Sequence, residues 1–450
     1  MMGEREKFSS SIAVFLATLS SAVGLGNIWM FPYITGENGG AAFIVTYSIC
    51  VLIIGIPVLL GEFIIGRGTR KNVYGAIKSL TNKKIFKSIG VLGIISTSFI
   101  LFFYTVVAGW VYSYVFKAIK GTFIGMDASS VASIFKETST GIISPLLWQL
   151  IAILVVCGVL AFGIKSGIEK MTKILMPVLI GLLIFCAIRS LFLPGAFAGV
   201  EFLLKPDFSK INLTVILSAL GLAFFKLCIG TGTMITYSSY YTDDNNLPTT
   251  GLKVALADTG VSLIAGLAIF PAVFSFGLEP TSGPGLLFET IPLIFSEIPG
   301  GSILTVIFFL LTAMAATMAM LSLFEVLTAA LTEELKLNRK FAQVINIIVV
   351  MGFGSLAALS AHPEGVLSHI KIMGLGFFDF YDKATSLFIL PINGLLVAIL
   401  VGYFINKNLI VEQITNKGLI KNEGLCNILI FNLKYIAPIL IMIVFIGSLF

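Results

Sequence analysis

The stretch Ser20-Ser21-Ala22-Val23-Gly24-Leu25-Gly26-Asn27-Ile28-Trp29-Met30-Phe31-Pro32-Tyr33 decides how this chain is read. It lies inside an apolar segment long enough to cross a bilayer, yet it holds Gly24, Gly26, Asn27 and Pro32. Glycine weakens a helix, and proline removes a backbone donor and disturbs the turn before it. In lipid, freed backbone groups are tolerated only where protein or a water-lined cavity satisfies them. A membrane helix broken here offers bare N–H and C=O groups, and a charged small molecule or ion is their natural partner. A packing kink is the competing explanation of a lone Gly-x-Gly, since glycine is common in membrane helices. Asn27, directly after the second glycine, speaks against it.

Composition agrees with a membrane setting. The chain has 450 residues, of which 57% are hydrophobic and only 12% charged, and its mean hydropathy is +1.02. A soluble domain carries roughly 25% charged residues, whereas repeated apolar runs of about 20 residues mark a multi-pass helical membrane protein. The head Glu4-Arg5-Glu6-Lys7 leads into the first run, and no small-residue cleavage site closes it, so a retained helix is expected rather than a signal peptide. Cys50, Cys157, Cys186 and Cys228 sit in apolar segments and Cys426 in a polar connection, a scatter that gives no disulfide framework. The net charge of +6 reads as topology and not as nucleic-acid binding, because Lys and Arg gather in loops.

About eleven spans follow from hydropathy: 11–36, 41–66, 88–119, 144–163, 168–193, 212–241, 250–278, 301–332, 340–360, 375–405 and 430–450. The connection 67–87 carries Arg67, Arg70, Lys71, Lys78, Lys83, Lys84 and Lys87, which places it, and with it the N-terminus, on the cytoplasmic side. Eleven spans then put the C-terminus outside. The connection 242–249 holds Asp243 and Asp244 without the expected cations, but acidic residues weigh little in this rule. Among the outer connections, 279–300 is apolar enough to dip back as a lid.

A second interrupted span reads Ala223-Phe224-Phe225-Lys226-Leu227-Cys228-Ile229-Gly230-Thr231-Gly232-Thr233, again with Gly-x-Gly in mid-membrane. Breaks in the first and sixth spans hold corresponding positions in two five-helix halves, about 11–193 and 212–405, with 430–450 left as an extra helix. Such a pair points to a transporter's central site. One integral membrane domain over 1–450 is expected.

Several motifs in order carry a family likeness. Ser21 to Asn27, Phe31-Pro32-Tyr33, Glu37-Asn38-Gly39-Gly40, Gly55-Ile56-Pro57 with Glu62 and Gly66-Arg67, and Glu334-Leu335-Lys336-Leu337 resemble the neurotransmitter:sodium symporter family, in its bacterial LeuT-type, amino-acid-carrying branch. The resemblance implies an all-α polytopic fold with a five-plus-five inverted repeat, helices 1 and 6 unwound mid-membrane, and alternating access. It also implies a bacterial plasma-membrane protein that is not an enzyme and carries an amino acid through one site at the midplane.

By the same resemblance, the Leu25 and Gly26 amides and the Tyr104 hydroxyl take the substrate carboxylate, and the Ala22 and Phe225 carbonyls take its ammonium. The physical need is plain: a zwitterion away from bulk water requires both donors and acceptors, and half-helix ends supply them. The side-chain subsite is implied to be Ser21, Ile100, Phe225, Cys228, Thr231 and Leu323, with Phe225 as aromatic lid. Arg5, Tyr240 and Glu333 align with the inner gate. The outer gate departs from the pattern: Met30 stands where arginine is expected, opposite Asp382 beside Lys383, so closure is expected through Tyr104 and Phe225.

The ion positions depart most. Ala22 and Asn27 of the family's first sodium site are present, but its threonine position is Lys226 and its second asparagine position is Asp258. The paired hydroxyl positions of the second site read Met318-Ala319; a one-residue shift would bring in Thr317. A hard cation wants oxygen ligands, which neither Met318 nor Ala319 offers. Two solitary charges at mid-bilayer would be costly, so Lys226 and Asp258 are expected to pair with each other or with substrate, with Lys226 acting as a tethered substitute for sodium that reaches the substrate carboxylate and proton exchange as a coupling step. A conventional sodium-coupled amino-acid symporter is the alternative. No other cofactor is expected. His362 and His369 near Glu364 make at most a weak zinc pattern, no nucleotide-binding or hydrolase motif occurs, and Glu62 and Glu325 are expected to partner the helix gaps.

Overall fold

The computed structural model describes residues 6–278 and 285–447. Arg5 and residues 279–284 of the 279–300 connection lie outside the described residues. Among the described residues, nine helices are long and apolar enough to cross a bilayer: Ala41–Thr69, Lys84–Ile119, Ile143–Leu160, Ile164–Leu191, Leu247–Ser275, Gly301–Glu334, Arg339–Ser360, Phe377–Phe404 and Glu423–Gly447. They are spans 2, 3, 4, 5, 7, 8, 9, 10 and 11 here. A tenth, span 1, is the pair Ser11–Ala22 and Gly26–Glu37, bent by 54° at its break. The expected eleventh, span 6, is the pair Leu213–Lys226 and Thr233–Ser238, neither half of which would cross alone.

Polar caps start several of these helices. The Ser10 hydroxyl and the Asn212, Asn246 and Asn338 side chains each accept from an amide of the first turn. The two interruptions differ in backbone. Span 1 ends its first half at Val23, in extended conformation with φ −81° and ψ 104°. Span 6 crosses its gap through three left-handed residues, Cys228 at φ 52°, Gly230 at φ 80° and Gly232 at φ 77°.

The distribution of side chains is that of a bilayer protein. Large aliphatic and aromatic residues such as Ile12, Phe162, Phe192, Ile348 and Ile428 point outward, while Thr18, Ser21, Asn27, Glu62, Lys226, Asp258 and Glu325 are buried. Water-soluble packing would invert that arrangement. Spans 3 and 8, of 36 and 34 residues, pack together, and the interrupted spans lie against them. All five cysteines are free and buried. The described part of the 279–300 connection is helical, Leu286–Thr290 and Ile291–Glu297, and it folds inward. There Phe288 stacks on Phe135 at 5.2 Å and meets Trp110 edge-on at 5.7 Å.

Candidate functional site

The two gaps face one another across a small cavity of about 30 Å³. Span 1 contributes Ser21, Ala22, Gly24 and Gly26, and span 6 contributes Phe225, Lys226, Cys228 and Thr231. Ile100 and Tyr104 of span 3 and Ala319 and Leu323 of span 8 complete the wall. Of the residues expected to hold substrate, Leu25 alone does not line this cavity; its side chain faces a second one. Its amide donates to the Tyr104 hydroxyl at 2.9 Å.

That second cavity, about 230 Å³, is lined by Met30, Trp29, Tyr33, Trp110, Asp379 and Asp382 among others. Gly26, Tyr104 and Phe225 line both cavities and so form the partition between them. Met30 brings no cation, and Asp382 Oδ1 is buried without a hydrogen-bond partner among the described residues.

Backbone groups freed in span 6 are stitched by neighbours. The Gly230 amide donates to Glu62 Oε1 at 2.8 Å, Asn393 Nδ2 donates to the Gly230 carbonyl at 2.6 Å, and Thr97 Oγ1 donates to the Thr231 carbonyl at 2.7 Å. Glu62 is thus the gap partner its position suggested. Glu325 is not: it pairs with the Arg339 guanidinium and accepts from the Tyr240 hydroxyl at 2.8 Å. In span 1, Asn27 Oδ1 accepts from the Gly24 amide at 3.1 Å. The Phe225 carbonyl already accepts from the Cys228 amide at 3.1 Å.

Behind the cavity wall lies a charged cluster. Lys226 Nζ sits 2.9 Å from Asp258 Oδ2, with both side chains fully shielded. The ammonium also donates to the Tyr47 hydroxyl at 3.1 Å and to the Ser262 hydroxyl, and it lies 4.8 Å from the Phe31 ring centre. Asn27 Nδ2 donates to Asp258 Oδ1 at 2.7 Å and to Ser262 Oγ at 3.0 Å. Oxygen atoms and aromatic faces therefore surround the cation on several sides. Tyr47 and Ser262 were not anticipated. Ser262 stands four residues after Asp258 on one helix face, a signal that was available; Tyr47 arrives from span 2 and had none.

At the lysine-rich end of the bundle, Glu333 Oε2 accepts from the Asn72 amide at 2.8 Å and its side chain at 2.9 Å. Arg339, likewise unanticipated, donates through Nε to the Leu160 carbonyl at 2.7 Å.

Comparison with known proteins agrees with this architecture. The Sodium:neurotransmitter symporter family matches residues 5–129 and 130–450. The chain belongs to that family. Within it, an uncharacterized sodium-dependent transporter of Bacillus subtilis, YhdH, is 34% identical over 98% of this chain and 97% of its own. A sodium-dependent transporter of Haemophilus influenzae is 34% identical over 99% of each. The crystal structure of MhsT in complex with L-phenylalanine superposes with a TM-score of 0.91 at 39% identity, covering 99% of this chain and 100% of that one. The protein is therefore an integral membrane transporter of LeuT-type fold.

Met318 is fully buried and Ala319 presents a methyl to the cavity. The Thr317 hydroxyl donates to the Ala313 carbonyl and lies against the Tyr112 hydroxyl, both at 2.7 Å. Among the described residues, no group of three or more His, Cys, Asp and Glu could hold a metal ion.

Proposed function

We propose that this protein is a secondary carrier of amino acids working by alternating access, in which Lys226 replaces the first sodium ion and sodium coupling is reduced or absent. The observation that carries this reading is the shielded Lys226–Asp258 pair, 2.9 Å apart, behind the gap-lined cavity. A sodium ion beside the Lys226 ammonium would face like-charge repulsion. The Lys226 stem borders the cavity next to Gly26, and the amides and carbonyls of both gaps supply the donors and acceptors that a zwitterion requires. MhsT, in its complex with L-phenylalanine, lends support to an amino-acid substrate.

In this reading Tyr104 and Phe225 close the outer path, and the lysine-rich end closes through Arg5, Tyr240 and Glu333. Two halves, 11–193 and 212–405, rock about the site, with 430–450 outside the repeat. The N-terminus is cytoplasmic and the C-terminus external, in a bacterial plasma membrane. Driving force comes from protons or from exchange.

The relatives named sodium-dependent favour a second reading, an ordinary sodium symporter. Uptake and counterflow of labelled amino acids in proteoliposomes separate the two. Uptake equal in sodium and choline, and abolished by a protonophore or sustained only by internal substrate, supports replacement by Lys226. Uptake that requires sodium rejects it.

A further inference from the structure

Spans 3, 8 and 9 leave between them a groove of about 420 Å³ that the transport cycle outlined above does not use. Its wall is carbon: Val91, Ile94 and Ile95 of span 3, Leu327 and Leu331 of span 8, and Val349 of span 9. Three of the polar groups in that wall have partners within the protein. Ser98 Oγ donates to the Ile94 carbonyl at 2.8 Å, Asn346 Nδ2 donates to Thr328 Oγ1 at 3.1 Å, and Glu334 Oε1 accepts from Asn72 Nδ2 at 3.0 Å. Val91, Ile95 and Val349 are exposed, so the groove opens sideways toward lipid rather than toward water.

Cations stand at one end of it. Lys84 and Lys87 precede Val91 by seven and four residues on the same helix, and the 3.6-residue period puts them on the face that continues into Val91, Ile95 and Ser98. Lys78 is exposed and lies 5.9 Å from the ring of Tyr74, itself part of the wall. Lys83 is engaged elsewhere, over the Phe404 ring at 3.8 Å. The connection 67–87 contains no Asp or Glu.

We infer that this groove seats one anionic phospholipid, an acyl chain along Val91, Ile95, Leu327 and Val349 and the headgroup phosphate at Lys78, Lys84 and Lys87. Walls that are mostly carbon favour a hydrocarbon chain, and lysines at membrane-interface height favour a negative headgroup. Tyr74 belongs to the short helix Val73–Leu80, whose cap Asn72 is held by Glu333 and Glu334 at the end of span 8. A lipid here would brace that junction.

Native mass spectrometry of the full chain tests this, with phosphatidylglycerol and phosphatidylcholine of identical chains and glycerol phosphate as soluble headgroup. The expected result is retention of one phosphatidylglycerol about tenfold above phosphatidylcholine, the preference that one to two lysine contacts provide. Glycerol phosphate alone should not bind. Lys78→Gln/Lys84→Gln/Lys87→Gln should erase the preference, and Ser98→Phe, which fills the groove, should erase retention of either lipid. Val91→Trp serves in place of Ser98→Phe if that variant does not fold. Equal retention of both lipids by the parent, or persistence of the preference in either the charge or the filling variant, overturns the proposal.

Discussion

The two interrupted spans share a Gly-x-Gly, yet their glycines answer different needs. In span 6, Gly230 and Gly232 lie at φ 80° and 77°, where a side chain is strained whatever space surrounds it. In span 1 neither glycine lies in the left-handed region. A Cβ on Gly24 would come 2.7 Å from the Tyr104 hydroxyl and 2.8 Å from the Ala319 methyl, so that position is small for lack of room. A Cβ on Gly26 would meet Lys226 Cγ and the Phe225 ring at an ordinary 3.6 Å. Nothing in the protein itself forbids alanine at Gly26. The lesson is that span 6 is a fixed, stitched gap carrying its own cation, while span 1 keeps one residue small for something that comes and goes.

The largest effect should come from the charge in span 6. Lys226→Met leaves Asp258 buried and uncompensated and should cost about 3–5 kcal/mol. A large part should return in Lys226→Met/Asp258→Asn, read as denaturation midpoints in one detergent. Single and double variants with equal loss would mean that the two residues do not act as a pair.

Next comes Gly230→Ala, which forces an L side chain to positive φ and drives it to 2.8 Å from the Leu390 carbonyl. A loss of about 2 kcal/mol or more is expected. Tyr104→Phe removes the acceptor of the Leu25 amide and should destabilise by about 1–3 kcal/mol, with weaker amino-acid binding. Gly26→Ala should change the melting midpoint least, by under about 0.5 kcal/mol, as ordinary contacts permit. Its binding of amino acid should nevertheless fall at least about tenfold, a loss of some 1.4 kcal/mol. A Gly26→Ala variant that binds normally would erase the contrast between the two gaps.

Much of this was legible in the chain. Hydropathy places ten spans because lipid requires long apolar helices; nine have bounds that agree within four residues, while the last, expected at 430–450, begins seven residues earlier at Glu423. Span 6 is marked by its break rather than its length: Leu213–Lys226 has only 14 residues. The pairing of Lys226 with Asp258 followed from the cost of solitary buried charge. Partners that come from other spans were not legible. Tyr47 on the Lys226 ammonium, Asn393 on the Gly230 carbonyl and Arg339 on Glu325 depend on tertiary packing, which no local pattern records. Glu325, expected at a helix gap, instead balances Arg339 because that guanidinium is the charge its depth demands.

The central claim is that a fixed ammonium does the work of an ion, and amino-acid binding against sodium concentration tests it most directly. Substrate-induced thermal shifts of the parent protein should be the same in sodium and in choline at every concentration, while Lys226→Thr, which restores an oxygen ligand beside Asn27 and Asp258, should bind substrate only as sodium rises. A parent protein whose substrate binding strengthens with sodium, together with a Lys226→Thr variant that responds no differently, would contradict the account.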